Sequence, residues 1–179
     1  MNKVPVMAAS DIFPAYQNTP IGRLLEYHNL KQTHTKYSAP EILIGMCMDH
    51  RKSLNIPPNF AYIIRTGGGN LRYNEFKVSY AIGVGNVGAI ALIAHNNCGM
   101  VNLMSKKTDF VSGLVTKAGW NPAEAEEHFL NFAPMFEIDN ELTFVVSEAK
   151  RLRFRYPRIQ VAPLYYKVED NLLYQIEEE

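Results

Sequence analysis

Short apolar runs recur along the chain, each closed by polar or turn-forming residues. Ile42–Met46, Phe60–Arg65, Gly88–Ala94 and Ile159–Lys167 are too short for helices of a packed core and read as buried strands. Helix start signals fall between them. Thr19-Pro20 places an N-cap and a first-turn proline ahead of a stretch running from Ile21 to about Lys36. Asn74 to about Ile82 reads as a short helix. Asn121-Pro122-Ala123-Glu124 combines an N-cap, a proline and a first-turn acid, and predicts a helix to about Phe132, before Pro134. Asn140–Tyr156 is amphipathic and stops at Pro157, whereas Val101–Ala118 shows only a weak pattern. Pro163 points to an edge position or a bulge in its strand. A turn at Glu169-Asp170-Asn171 leads to a short further strand, Leu172–Ile176, and residues 1–18, with Pro5 and Pro14, read as an arm or docking segment. Alternation of strands and helices predicts an α/β fold with a mainly parallel sheet.

Composition narrows the picture. The chain has 179 residues, 47% of them hydrophobic, which suits one globular domain spanning 1–179. Its 18 basic and 18 acidic residues balance, so neither nucleic acid nor an anionic membrane is expected as a partner. The opening residues lack the apolar core of a secretory signal, and no apolar stretch is long enough to span a membrane. A cytoplasmic location is expected. In a reducing compartment, two cysteines read as a metal pair sooner than as a disulfide.

Those cysteines carry the chemistry. Cys47 ends one apolar run and opens Cys47-Met48-Asp49-His50-Arg51; His95 and Cys98 follow another in His95-Asn96-Asn97-Cys98-Gly99. Parallel sheets bind ligands at the carboxyl ends of their strands, so two neighbouring strand ends would bring Cys47, His95 and Cys98 together. Two thiolates and an imidazole leave a zinc ion one open position, the pattern of a catalytic site. In extended chain Cys47, Asp49 and Arg51 share a face, and His50 points the other way. Arg51 can then hold Asp49 ionised and oriented beside the metal. Each residue has a plainer reading: a buried cysteine as a small hydrophobe, Asp49–Arg51 as an ordinary ion pair, His50 as a surface residue. His28, His34 and His128 fall on predicted helices and are expected to face solvent. Gly83-Val84-Gly85-Asn86-Val87-Gly88 has dinucleotide-site spacing. It follows a helix and precedes a strand, the reverse of what pyrophosphate binding needs, so it reads as a helix cap and turn.

Three segments, residues 47–51, Arg65-Thr66-Gly67-Gly68-Gly69 and His95–Gly99, resemble the signature segments of the β-class carbonic anhydrases, which show Cys-x-Asp-Ser-Arg, Arg-Asn-Ala-Gly and His-x-x-Cys-Gly. The likeness covers residues 20 to 176. It implies Zn2+ on Cys47, His95 and Cys98, Asp49–Arg51 as the catalytic pair, and a backbone amide near Gly99 holding a substrate oxygen. It further implies four parallel strands with a fifth at the edge, a homodimer or higher assembly, and reversible hydration of carbon dioxide to bicarbonate. His50, Thr66 and Gly67 depart from the family's Ser, Asn and Ala. The departures touch the pocket rather than the tripod, and leave room for a carbon disulfide or carbonyl sulfide hydrolase on the same fold, or for a zinc-binding homologue without turnover.

Overall fold

The computed structural model describes residues 1–33 and 36–178. Six strands form one sheet: β1 (Asn2–Pro5), β2 (Ile42–Cys47), β3 (Ala61–Thr66), β4 (Ala89–His95), β5 (Gln160–Lys167) and β6 (Leu172–Glu177), in the order β1-β6-β5-β4-β2-β3. The strands from β3 to β5 are mutually parallel, and β6 runs antiparallel to β5. The expected edge strand β6 is not at the edge: β1, from the opening segment, pairs with it antiparallel and covers it.

Period-two alternation sorts the sheet's side chains onto two faces. Ile42, Ile44 and Met46 of β2, with Ala91 and Ile93 of β4, join Ile21, Leu24 and Leu25 of α1 (Pro20–His28). Leu43, Ile90 and Leu92 face the other way, against Val78 and Ala81 of α2 (Glu75–Gly83) and Val145, Ala149 and Leu152 of α5 (Glu141–Arg155). Gly45 is the exception in β2. A Cβ there would lie 2.8 Å from Leu71 Cδ1 and 3.0 Å from Leu92 Cδ2, so these leucines fill the place its side chain would take.

Thr19 caps α1 and Pro20 opens it, but the helix stops at His28, well before Lys36. Asn29 turns its side chain onto Val6 O and Leu173 O, and Lys31 takes a positive φ that no helix continues through. His28 is buried, contrary to expectation: Nε2 bonds Asn171 O at 2.8 Å and Nδ1 accepts Asn55 N–H at 3.1 Å. His34 lies outside the described residues. The weakly patterned stretch forms α3 (Lys107–Ala118), which buries none of its residues and so shows no apolar stripe; Gly119, left-handed at φ 73°, is the stop signal that marks it. It packs on α4 (Pro122–Phe132), where Asn121 caps as expected. There His128 is half-buried among Phe110, Trp120 and Phe132 rather than facing solvent. Residues 83–88 are the end of α2 and a turn.

Pro163 lies in an interior strand, not at an edge. The β6 ladder begins one residue later, at Leu164, so Pro163 has β4 on one side and no ladder partner on the other. Among the described residues no helix is long and apolar enough to cross a membrane. Filling the Gly45 gap tests the packing: Gly45→Val should destabilise the protein by about 1–3 kcal/mol through overpacking, read as a lower midpoint in urea at unchanged slope.

Candidate metal centre

The parallel register pairs Met46 of β2 with Ile93 of β4, which sets the carboxyl ends of these two strands side by side. From β2 the chain passes to β3 on one side and later to β4 on the other, so the crevice between β2 and β4 is a topological switch point. Cys47 and His95 occupy those two strand ends, and the turn after β4 brings in Cys98.

The donor atoms of Cys47, His95 and Cys98 all lie within 4.8 Å of one another, and all three residues are buried. The sulfurs are free and 3.9 Å apart. That is far beyond a disulfide and close to the ~3.8 Å that separates two sulfurs each ~2.3 Å from a tetrahedral zinc. His95 supplies the sharper test. Its Nδ1 lies 2.9 Å from Asn96 O, an oxygen that can only accept, so the proton sits on Nδ1 and the lone pair on Nε2. Nε2 is buried with no hydrogen-bond partner. An orphaned buried acceptor costs about 1–3 kcal/mol, and a metal ion facing it removes that cost. The group fits a metal ion on every count the side chains offer.

The environment favours thiolate. The Asp49 backbone N–H donates to Cys47, and the Met100 N–H to Cys98. The hydrogen bond from Cys98 pulls the Cys47 thiol down. The same bond pushes Cys98 up.

Asp49 and Arg51 meet as expected, in a forked contact: Arg51 Nε lies 3.0 and 3.1 Å from the two carboxylate oxygens, and Nη2 lies 2.6 Å from Oδ2. The Arg51 backbone N–H adds a bond of 2.9 Å. Together they hold the Asp49 carboxyl well below the usual carboxylate range. Arg51 Nη2 also donates to Asn97 O at 2.9 Å, which ties the pair to the loop carrying Cys98; Asn97 is left-handed, at φ 55°. His50 is exposed.

The loop after β3 presses against the site. Gly68 and Gly69 take φ of 63° and 74°, and a Cβ on Gly69 would lie 3.5 Å from the Met46 backbone. Thr66 Oγ1 spans the loop to Asn70 O at 3.0 Å. A Cβ on Gly67 would meet Met100 Sδ at 3.0 Å and Phe136 at 3.2 Å. Met48, Gly67, Met100 and Phe136 line part of an apolar cavity of about 280 Å³. Gly99 is exposed, and a Cβ there would meet nothing within 4 Å.

Among solved structures, β-carbonic anhydrase isoform I of Trichomonas vaginalis is similar to this chain at a TM-score of 0.65 and 17% identity, over 82% of this chain and 88% of that one. The carbonic anhydrase of Glaciozyma antarctica gives 0.60 and 20%, over 93% and 100%. The fold is that of the β-carbonic anhydrases. An apo carbon disulfide hydrolase shares this β-carbonic anhydrase fold, at 0.57 and 21%, over 80% and 82%. No family model and no curated protein matches the chain. At such identities the likeness speaks for the fold, and the site rests on its own geometry.

Sequence reasoning missed the burial of Lys52, whose ammonium bonds the Asp49 carbonyl oxygen, and the residues of the apolar cavity. Alternation reads the chain as extended from Cys47 to Arg51, but it turns at His50–Arg51. No periodic signal marks a lysine turned inward by a bend.

Two outcomes are expected. The Asp49 carboxyl is depressed on folding, so its contact with Arg51 adds stability that is whole above about pH 4 and lost as acid carries the pH through the lowered folded value. Carboxyl-carbon NMR should show Asp49 titrating below other aspartates, and Arg51→Gln should return it to the ordinary range. Gly67→Ala should lower the melting temperature by crowding Met100 and Phe136, whereas Gly99→Ala should leave stability within about 0.5 kcal/mol of wild type.

Proposed function

We propose that the protein is a zinc-dependent carbonic anhydrase, catalysing reversible hydration of carbon dioxide to bicarbonate and a proton. The observation that carries this reading is the orphaned Nε2 of His95 facing two thiols at the ends of β2 and β4, with the Asp49–Arg51 fork beside them. Cys47, His95 and Cys98 would hold the zinc, which when bound supplies a Lewis acid that activates water near neutral pH.

The remaining work falls to the chain. Asn96 O fixes the His95 tautomer and ring. Asp49, kept ionised by Arg51, acts as a hydrogen-bond acceptor and not as a proton source, so it orients water for attack on the substrate carbon. Arg51 positions Asp49 and anchors it to the Asn97 carbonyl. The exposed backbone at Gly99 is the proposed donor to a substrate oxygen. A homodimer is proposed as the working unit, in the cytoplasm, with residues 1–179 as one domain.

A second reading has one observation in its favour. The apolar cavity lined in part by Met48, Gly67 and Met100 suits a small apolar molecule, and a carbon disulfide hydrolase shares the fold. Carbon disulfide or carbonyl sulfide would then be the substrate of the same site.

Stopped-flow hydration of carbon dioxide, on protein whose zinc has been quantified, decides the matter. The wild type should turn over. Asp49→Ala should keep zinc and fold yet lose on the order of 10²-fold or more in kcat, the scale set by removing one positioned catalytic group. A zinc-replete wild type that hydrates no faster than buffer would defeat the proposal; carbon disulfide turnover by that same protein would establish the second reading.

A further inference from the structure

One side chain belongs to both the metal centre and the apolar cavity. Met100 packs on the buried cluster of Cys47, Cys98 and Ile138, and it also lines the cavity. Met48, the cavity's other thioether, is 67% exposed, whereas Met100 is half-buried. The backbone around Met100 is fixed. Its carbonyl oxygen accepts the Ile138 N–H at 3.0 Å, and the next residue, Val101, donates to Cys98 O at 3.1 Å.

The Met100 side chain lies along the loop after β3. A Cβ on Gly67 would sit 3.0 Å from Met100 Sδ and 3.6 Å from Cγ, and one on Gly68 would sit 3.5 Å from Cβ and Cγ. Two successive glycines thus leave open the floor on which the thioether rests. Gly68 is left-handed at φ 63°, which favours glycine on backbone grounds alone. Gly67 is not left-handed, so what its missing Cβ provides is room for the sulfur. It stands where the β-carbonic anhydrase signature has Ala.

The cavity selects by polarity. Phe110, Phe129, Phe132 and Phe136 give it aromatic walls, and of the side chains lining it only His128 can ionise. An ion entering would give up hydration with no fixed charge to replace it. A volume of about 280 Å³ admits a small neutral molecule. Size is then decided where cavity and cluster meet, by an unbranched thioether that adapts more readily than a branched or aromatic side chain.

We infer that Met100 is the specificity-determining wall of the metal centre, its thioether seated across Gly67 and Gly68 and setting the size of the neutral molecule that passes from the cavity to the two cysteines. The inference deepens the proposed function: it rests on the metal centre placed there, not on which molecule is turned over. The competing account makes Met100 a space-filler, with the cysteines reached by another route.

Thiol-directed reagents separate the two accounts. Cys47 and Cys98 are the chain's two cysteines, so every adduct in the intact mass reports on them. Methyl, benzyl and sulfonatoethyl methanethiolsulfonate differ in size and charge. Each passes its alkylthio group to a cysteine sulfur as a mixed disulfide and releases methanesulfinate. The full chain serves as purified, wild type and Met100→Ala matched for zinc content. Met100→Ala should react with the benzyl reagent on the order of tenfold faster than wild type does, through an easier local opening. The methyl reagent should gain less, and the anionic sulfonatoethyl reagent should not change. Met100→Leu, close in volume, should stay near wild type with all three. Equal gains for the three reagents, or no gain for any, overturn the inference. Should Met100→Ala fail to fold, the wild type alone decides. Xenon filling the cavity should slow the methyl reagent and spare the anionic one; modification indifferent to xenon overturns the inference equally. No readout requires turnover, so a protein inactive toward carbon dioxide loses the proposed activity and keeps this test. A wild type that binds no zinc removes the metal centre and the inference with it.

Discussion

Parallel hydrogen bonding between β2 and β4 is the constraint on which everything at the site depends. The register that sets Met46 against Ile93 places Cys47 and His95 at adjoining strand ends, although nearly fifty residues of chain separate them. A slip of one residue would turn Cys47 to the opposite face and dissolve the cluster. The register is pinned by burial on both faces. Ile42, Ile44 and Met46 are committed to the α1 side and Leu43 to the α2 and α5 side, so no shifted pairing keeps both cores filled.

Around that frame the charged groups differ in exposure. Asp49 and Arg51 sit partly open to solvent, where a forked contact holds both shape and ionisation. Lys52, Cys47 and Cys98 are buried, where charge costs far more. Arg51 and Arg65 join these layers through backbone carbonyls of Asn97, Cys47 and Lys52. Removing any one partner therefore leaves a neighbour uncompensated, and mutational effects at these positions should not add.

Much of this was legible in the residues. Apolar runs located the strands of the sheet core, and the strand-end rule placed Cys47, His95 and Cys98 together. Capping residues at Thr19 and Asn121 marked two helix starts. What escaped has physical reasons. The α3 helix buries no residue, so periodicity had nothing to record. The β1 strand depends on a partner at the far end of the chain, as the pairing of Asn2 with Glu177 shows. His28 looked like a solvent residue on a helix because its two acceptor and donor partners, at Asn171 and Asn55, are remote in sequence. Lys52 was hidden by a bend that no pattern of polar and apolar residues predicts.

Asn96 carries one more consequence. Its side chain accepts the Val168 N–H at 2.8 Å and donates to Glu169 at 2.6 Å, so the loop from His95 to Cys98 is fastened to the hairpin of β5 and β6. Neither segment can open without breaking bonds to the other. In the language of local unfolding they form a single cooperative unit, and their amide protons should exchange with solvent together. Fluctuation that frays the hairpin would also loosen the donor loop, which makes the hairpin, remote from any chemistry, a guardian of the site's order.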